Sequence, residues 1–322
     1  MSPAAALGPR DGLVLALGCG GARGLAHVGV LEVLEEHGIR VRAIAGASIG
    51  AEMGAFYAHG VPIAEMVRRC ENLDRQQTFR LFLPDLPTGG LASGRLMDSF
   101  FHELLGDVSF GELRIPFVAV ATDLDSGDEV ILDRGSVVDA VRASVSLPGV
   151  LAPRMLEGRI LIDGGAANPL PADVARRTFG GPVVAVAVHA AAARLRRRLA
   201  DLQPQGGGWR AGARALLGQA WVRETNAIRS YLEDQLAKHP EQEGLTMPTA
   251  RVVFQRAQDI AEDAVVRARL ATSPPDLLLV PDLSEFGTLE FHRGKEIVEA
   301  GRCAARAALQ RLENLARNAE ER

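Results

Sequence analysis

The chain has 322 residues, of which 47% are hydrophobic and 24% are charged, enough apolar material for a large buried core. Its formal net charge of -4 provides no overall positive field that would attract nucleic acid. The three cysteines, Cys19, Cys70 and Cys303, lack the spacing of a metal site. We therefore expect reduced thiols and neither a disulfide framework nor a zinc site.

Two further classes of protein are disfavoured by the hydropathy pattern. Residues 1–10 lack the basic region that opens a secretory signal peptide. No apolar run reaches the roughly 18 to 20 residues that a membrane-spanning helix requires. We expect a cytoplasmic protein whose contact with a membrane, at its inner face, is peripheral.

Short apolar runs rich in β-branched residues recur along the chain and predict strands. These runs are residues 13–17, 41–45, 115–121, 159–162, 183–188 and 277–280. Strands that are apolar throughout are typical of a sheet covered by helices on both faces. Helical patterns lie between them, including one that stops near Gly38 and one through Leu105 that Ser93 could cap. The alternation predicts an α/β fold with a largely parallel sheet.

The segment from about residue 190 to 248 interrupts this rhythm and predicts a helical insertion or lid. It carries a basic run at residues 194–198 and an apolar helical face that includes Trp209 and Trp221. That face could pack on the core or lie on a membrane surface. We expect residues 11–312 to form a single domain around this insertion, with a final helix over 289–317 and a charged tail at 313–322.

The first motif that could carry chemistry is Gly46-Ala47-Ser48-Ile49-Gly50. It follows the apolar run ending at Ala45 and precedes a helical pattern that starts near Ala51. A serine on a tight strand-to-helix turn presents its hydroxyl outward, and the flanking glycines avoid collisions with neighbouring backbone. The motif therefore predicts a nucleophile elbow centred on Ser48.

The second motif is the glycine-rich stretch Gly18-Cys19-Gly20-Gly21-Ala22-Arg23-Gly24, between the first strand and the first helix. It is not a dinucleotide fingerprint, because Arg23 stands where the third glycine belongs, and it lacks the lysine of a phosphate-binding loop. Its successive amides could instead converge on a developing oxyanion, although a tight turn without a ligand is the alternative. Arg23 could add positive charge or hold the loop in place.

The third motif is Asp163-Gly164-Gly165, at the end of the predicted strand 159–162. A carboxylate at the carboxyl end of a strand lies at the sheet edge where α/β sites are built. The two glycines allow close approach of another segment, so Ser48 could come within hydrogen-bonding reach of Asp163. Taken alone, this tripeptide is explained more often by a turn than by a catalytic base.

Together the three motifs resemble those of patatin-like phospholipases in order and approximate separation. Residues 121–124, 142–149 and 281–301 also resemble the bacterial branch of that family, which is related to the catalytic domain of neuropathy target esterase. The resemblance covers about residues 13–188 and 247–309 and is weakest over the insertion. Ala22 replaces a third glycine found in some members, but its backbone N–H is retained.

The resemblance implies a three-layer α/β/α fold with a mostly parallel central sheet. It also implies a Ser-Asp dyad that hydrolyses acyl esters of phospholipids, lysophospholipids or related lipids, without a metal or cofactor. Ser48 would be the nucleophile and Asp163 its base, whose burial should raise an ordinary pKa near 3.9. The elbow and turn glycines would be Gly46, Gly50, Gly164 and Gly165. The oxyanion hole would be formed by Gly20, Gly21, Ala22 and Arg23.

Two other interpretations remain open from the residues. An α/β-hydrolase with a Ser-Asp-His triad could use His292 and an acid such as Asp282, although Ser48 follows only the second predicted strand, too early for that fold. His27 is better explained as a packed or capping histidine than as a base. A catalytically silent binding protein on the same fold would have no need of a nucleophile, an acid and an oxyanion loop together.

Overall fold

The computed structural model describes residues 12–74, 92–189 and 250–320. The described residues belong to two compact units, one containing residues 12–189 and 262–320 and the other containing residues 250–261. The predicted insertion at 190–248 lies outside the described residues, so its role as a lid or a membrane contact stays a prediction.

An eight-stranded sheet runs through the described part of the first unit, in the order β5-β6-β3-β2-β1-β7-β8, with β4 paired to β3. Strands β3, β2, β1, β7 and β8 are parallel to one another, whereas β4, β5 and β6 are antiparallel to their neighbours. The predicted mostly parallel sheet is therefore confirmed. The strands are β1 (Leu13–Leu17), β2 (Val41–Ala47), β3 (Phe117–Asp123), β4 (Glu129–Leu132), β5 (Arg154–Leu156), β6 (Arg159–Asp163), β7 (Val183–Val186) and β8 (Leu277–Leu279).

Helices follow or separate these strands. The helices are α1 (Ala26–Glu36), α2 (Ile49–His59), α3 (Ile63–Glu71), α4 (Arg95–Leu105), α5 (Val137–Ser144), α6 (Ala172–Phe179), α7 (Ala250–Thr272), α8 (Gly294–Ala307) and α9 (Leu309–Glu320). Short 3-10 helices cover Gly21–Leu25, Phe110–Glu112, Gly164–Ala166 and Phe291–Arg293. No helix in the described ranges is long and apolar enough to cross a membrane.

Successive residues of the central strand β1 belong to opposite layers of the core. Leu13, Leu15 and Leu17 pack with α1, α2 and α8, whereas Val14 and Ala16 pack with α6 and with Val266. Because side chains alternate across a strand, a strand buried on both faces must be apolar at every position. All five residues of β1 are buried, and the expected three-layer α/β/α fold is confirmed.

Two helix boundaries differ from those expected. The cap of α4 is Gly94, at φ 85, and not Ser93. A Cβ on Gly94 would lie 2.2 Å from the buried Arg142 guanidinium, so this turn requires glycine. The final helix divides at Ala308, and α9 extends to Glu320 within the segment expected as a charged tail, where Ala319 is buried.

Helices α1 and α8 cross at two glycines. A Cβ on Gly29 would lie 2.0 Å from the Val298 carbonyl oxygen, and one on Gly301 would lie 2.0 Å from the Ala26 carbonyl oxygen. Neither backbone can yield without separating the helices, and α1 directly follows the glycine-rich loop. This crossing therefore fixes the position of that loop relative to α8.

We expect Gly301→Ala to lower the free energy of unfolding by about 1–3 kcal/mol, because overpacking outweighs the gain in helix propensity. Urea denaturation monitored by circular dichroism measures the change. Gly111→Ala is the matched control, since a Cβ there meets nothing within 4 Å. Equal stability of the two variants would contradict close backbone contact between α1 and α8 at Gly301.

Candidate active site

Ser48 connects β2 to α2 in an unusual backbone conformation, with φ 55 and ψ -128. Only Ser48 and Glu157 have positive φ among the non-glycine residues that the structure describes. Such a conformation costs about 1–3 kcal/mol and persists only where surrounding contacts enforce it. The Ser48 carbonyl oxygen accepts from the amides of Ala51 at 2.8 Å and Glu52 at 3.1 Å, which ties the serine to the first turn of α2.

A second serine, Ser144, fixes the backbone of the turn at Ser48. The Ser48 amide donates to Ser144 Oγ at 2.8 Å, and that hydroxyl donates onward to the Val120 carbonyl oxygen at 2.6 Å. Ser144 is completely buried at the end of α5. Its role is not evident from the sequence, where it lies only within a segment of family resemblance, because a serine-to-backbone contact across 96 residues leaves no local pattern.

The elbow glycines provide the space for this turn. A Cβ on Gly46 would lie 2.5 Å from the Gly50 carbonyl oxygen, and one on Gly50 would lie 2.1 Å from the Leu17 carbonyl oxygen. Both obstacles are backbone atoms, which cannot rotate away. The role predicted for Gly46 and Gly50 is thus explained by close approach of β1, β2 and α2.

Asp163 lies beside Ser48 for a reason that differs from the one expected. Its strand, β6, is antiparallel to β3, so its carboxyl end is not at the edge where the parallel strands end. The register decides the contact, because Ala47 pairs with Val120 while the next residue, Ala121, pairs with Asp163. Asp163, on β6, therefore lies across β3 from the end of β2, at the same height in the sheet as Ser48.

The side chains of Ser48 and Asp163 are directly hydrogen-bonded. Ser48 Oγ donates to Asp163 Oδ2 at 2.5 Å, and the Gly165 amide donates to Asp163 Oδ1 at 2.7 Å. Asp163 is 5% exposed. Burial raises the pKa of Asp163 to about 6, although both hydrogen bonds favour the ionised carboxylate. The expected burial of Asp163 is confirmed.

The turn after Asp163 is crowded at both of its glycines, most severely at Gly164. A Cβ on Gly164 would lie 2.1 Å from the Val120 carbonyl oxygen, and one on Gly165 would lie 3.0 Å from both Asp163 Oδ1 and Cys19 Sγ. The Thr122 hydroxyl also donates to the Asp163 carbonyl oxygen at 2.8 Å. These contacts hold the carboxylate in one position relative to the sheet.

The glycine-rich loop leaves two amides available to a ligand. The amides of Gly20 and Gly21 donate to no described residue, whereas the Ala22 amide donates to the Thr288 carbonyl oxygen at 2.8 Å. Gly21, at φ 57, also lines the cavity that contains Ser48. The Ala22 amide, expected in the oxyanion hole, is thus committed to Thr288.

Arg23 holds this loop in place. Its buried guanidinium donates from Nε to the Gly20 carbonyl oxygen at 3.3 Å and from Nη2 to Thr288 Oγ1 at 2.9 Å. The two contacts join the middle of the loop to Thr288. Of the two roles considered for Arg23, the structure supports the structural one.

Histidines do not complete a triad in the described part of the chain. None of the six histidines described there hydrogen-bonds Ser48 or Asp163, and His239 lies outside it. His27 Nε2 lies 2.8 Å from the Gly18 carbonyl oxygen, and burial lowers the pKa of His27 to about 4. His27 is therefore a neutral, packed histidine that supports the loop, as expected.

A cavity of about 570 Å³ opens in front of Ser48 and Asp163, within the size range of small-molecule sites. Its walls come mainly from α2, α3 and α4 and are predominantly apolar, which suits a hydrocarbon chain. The apolar lining includes Leu25, Ile49, Met53, Phe56, Met66, Leu73, Met97, Phe100, Leu104, Leu147 and Leu151.

The cysteines are free, and two of them lie near this site. Cys70 lines the cavity, and Cys19 Sγ donates to Glu262 Oε2 at 3.6 Å. Burial raises the pKa of both thiols, so they remain protonated and unreactive. Cys19 is the packed thiol that the sequence indicated.

Comparison with known proteins identifies the family. A family model described as patatin-like phospholipase matches residues 15–176. An uncharacterized NTE family protein of Mycobacterium tuberculosis is 32% identical over 342 residues, covering 94% of this chain and 92% of that protein. The chain belongs to the patatin-like phospholipase family. This patatin-like chain is therefore a lipid hydrolase by family.

Two further proteins are similar to parts of this patatin-like phospholipase. Neuropathy target esterase of Drosophila melanogaster is 37% identical over 179 residues, which cover 54% of this chain and 13% of that protein. VipD from Legionella pneumophila, a solved structure, is similar with a TM-score of 0.44 and 14% identity, covering 95% of this chain and 67% of that chain.

The buried carboxylate of this patatin-like phospholipase should reduce its stability at neutral pH. The pKa of Asp163 rises from 3.8 to about 6 on folding, which corresponds to about 3 kcal/mol at about 1.4 kcal/mol per pKa unit. Because the folded pKa is raised, the protonated form favours folding, and stability is lost as the pH rises through 6. We expect Asp163→Asn to raise the free energy of unfolding at pH 8 by up to this amount, and to change it little at pH 4.

Urea denaturation at the two pH values measures this difference. Asp125→Asn, at an exposed aspartate, is the control and should behave like the wild type at both. An equal effect of Asp163→Asn at pH 4 and pH 8 would show that the carboxylate is not destabilised by burial.

Proposed function

We propose that this chain is a serine acyl hydrolase that cleaves ester bonds of phospholipids, lysophospholipids or related lipids through a Ser48-Asp163 dyad. The observation that carries the proposal is the 2.5 Å hydrogen bond from Ser48 Oγ to the buried Asp163 carboxylate. The apolar cavity in front of this pair supports a substrate with a hydrocarbon chain.

In the first half-reaction Asp163 accepts the hydroxyl proton while Ser48 Oγ bonds to the ester carbonyl carbon. The carbonyl π bond breaks, and its electron pair forms the oxyanion. The intermediate collapses as the ester C–O bond breaks, and the proton held by Asp163 passes to the leaving alcohol. An acyl group remains on Ser48. Water then repeats the sequence, with Asp163 accepting its proton and returning it to Ser48 Oγ.

The amides of Gly20 and Gly21 are the donors available to the oxyanion. They belong to a loop that Arg23 ties to Thr288 through its contact with Gly20, and Gly21 lines the same cavity as Ser48. Donors fixed before the reaction need no rearrangement as charge develops, which is the basis of oxyanion stabilisation. Position 21 requires glycine, because a Cβ there would lie 2.3 Å from the Thr288 carbonyl oxygen.

A lipid substrate requires access to a membrane or a micelle. We propose peripheral contact of a cytoplasmic protein with the membrane surface, through the basic and tryptophan-bearing segment 190–248. This part of the proposal rests on the sequence pattern, since the segment lies outside the described residues.

Labelling with a fluorophosphonate probe tests the dyad. We expect an adduct on Ser48, located by mass spectrometry, that is absent in Ser48→Ala and at least about 100-fold slower to form in Asp163→Ala, because the hydroxyl loses its base. Ser126→Ala, at an exposed serine, is the control and should label at the wild-type rate. Full labelling of Asp163→Ala would overturn the dyad and make His292→Ala the next test. Wild-type protein that does not label would favour a silent binding protein.

The pH dependence of ester hydrolysis provides a second test. Asp163 must be ionised to accept a proton, so kcat/KM should fall about tenfold per pH unit below a midpoint near 6. Initial rates with p-nitrophenyl butyrate between pH 4.5 and 8 measure the profile. A midpoint near 4 would mean that the catalytic carboxylate is not the buried Asp163.

A further inference from the structure

A second carboxyl group lines the cavity one helical turn beyond Ser48. The Glu52 amide donates to the Ser48 carbonyl oxygen at 3.1 Å, so the two residues are four positions apart on the same helical path. Residues at that separation lie about one turn, or 5.4 Å, apart along the helix axis. Both side chains line the same cavity, and Glu52 projects into walls that are otherwise apolar on α2.

Glu52 lacks the partner that an acidic side chain in such a place ordinarily has. Within the described ranges its carboxyl group makes no hydrogen bond and no ion pair. The other glutamate lining the cavity, Glu65, is paired with both Arg68 and Arg69. An unpartnered polar group in apolar surroundings costs free energy unless a ligand satisfies it.

The surroundings of Glu52 keep its side chain neutral. Burial raises the pKa of Glu52 to about 8, so the carboxyl group is mostly protonated at pH 7. A protonated carboxyl group both donates and accepts hydrogen bonds. It is therefore matched to a neutral polar group on the substrate and not to a cation.

We propose that Glu52 is a substrate-binding residue that hydrogen-bonds a hydroxyl or oxo group close to the carbonyl end of the acyl chain. The preferred substrates are then esters of hydroxylated or oxo acids. The inference rests on the proposed function, because it takes Ser48 as the atom that binds the acyl carbonyl carbon. The apolar walls receive the rest of the chain, and the one-turn separation from Ser48 places the polar substituent within the first several carbons.

Paired esters that differ by one hydroxyl test the inference. We expect wild-type kcat/KM for p-nitrophenyl β-hydroxydecanoate to exceed that for p-nitrophenyl decanoate by about tenfold, the value of one hydrogen bond. Glu52→Met should abolish this preference, slowing the hydroxylated ester and accelerating the plain one. Glu52→Gln, which still donates and accepts, should retain most of it.

Glu65→Met is the matched control, because it removes a glutamate from the same cavity that is already paired, and its substrate ratio should equal that of the wild type. A wild-type ratio near one, or a preference that survives Glu52→Met, would overturn the inference while leaving the proposed function intact. A preference lost equally in Glu52→Gln and Glu52→Met would also overturn it. The preference would then depend on the charge of Glu52 and not on its hydrogen bonding. Failure of the wild type to label on Ser48 or to hydrolyse either ester would overturn both proposals.

Discussion

The site depends on the backbone of Ser48, which is held at a positive φ between β2 and α2. A serine does not adopt this conformation by preference, so the surroundings must enforce it. Two amides of α2 bind its carbonyl oxygen, and Ser144 binds its amide. Glycines at positions 46 and 50 remove the atoms that would otherwise collide. The direction of the hydroxyl thus follows from contacts among β1, β2, β3, α2 and α5.

The same cavity places two carboxyl groups in different electrostatic environments. Asp163 is buried but receives hydrogen bonds from Ser48 and Gly165, and its pKa of about 6 leaves it ionised at neutral pH. Glu52 receives none, and its pKa of about 8 leaves it mostly protonated. The two hydrogen bonds that Asp163 receives therefore account for the difference between the two groups. Asp163 is a carboxylate that can accept a proton, whereas Glu52 is a protonated carboxyl group that can donate a hydrogen bond.

Much of the fold could be predicted because the parallel strands are buried on both faces. The six predicted strands are the ones whose residues are continuously apolar or nearly so. Strands β4 and β5 escaped prediction because their apolar runs are only three and two residues long, shorter than the four to eight residues that signal a buried strand. The turn at Gly94 was missed for a related reason, since the buried Arg142 that requires glycine there is distant in sequence.

The sequence by itself determined the layer architecture, the strand-to-helix turn at Ser48 and the glycine-rich loop, because these follow from local periodicity and from where glycine is required. The tertiary structure decided which groups meet. It brought Asp163 to Ser48 through an antiparallel register, committed the Ala22 amide to Thr288, and left Glu52 without a partner among the described residues in the cavity that contains the nucleophile. Such contacts join residues far apart in the chain, and the register that creates them is set by packing of the whole sheet.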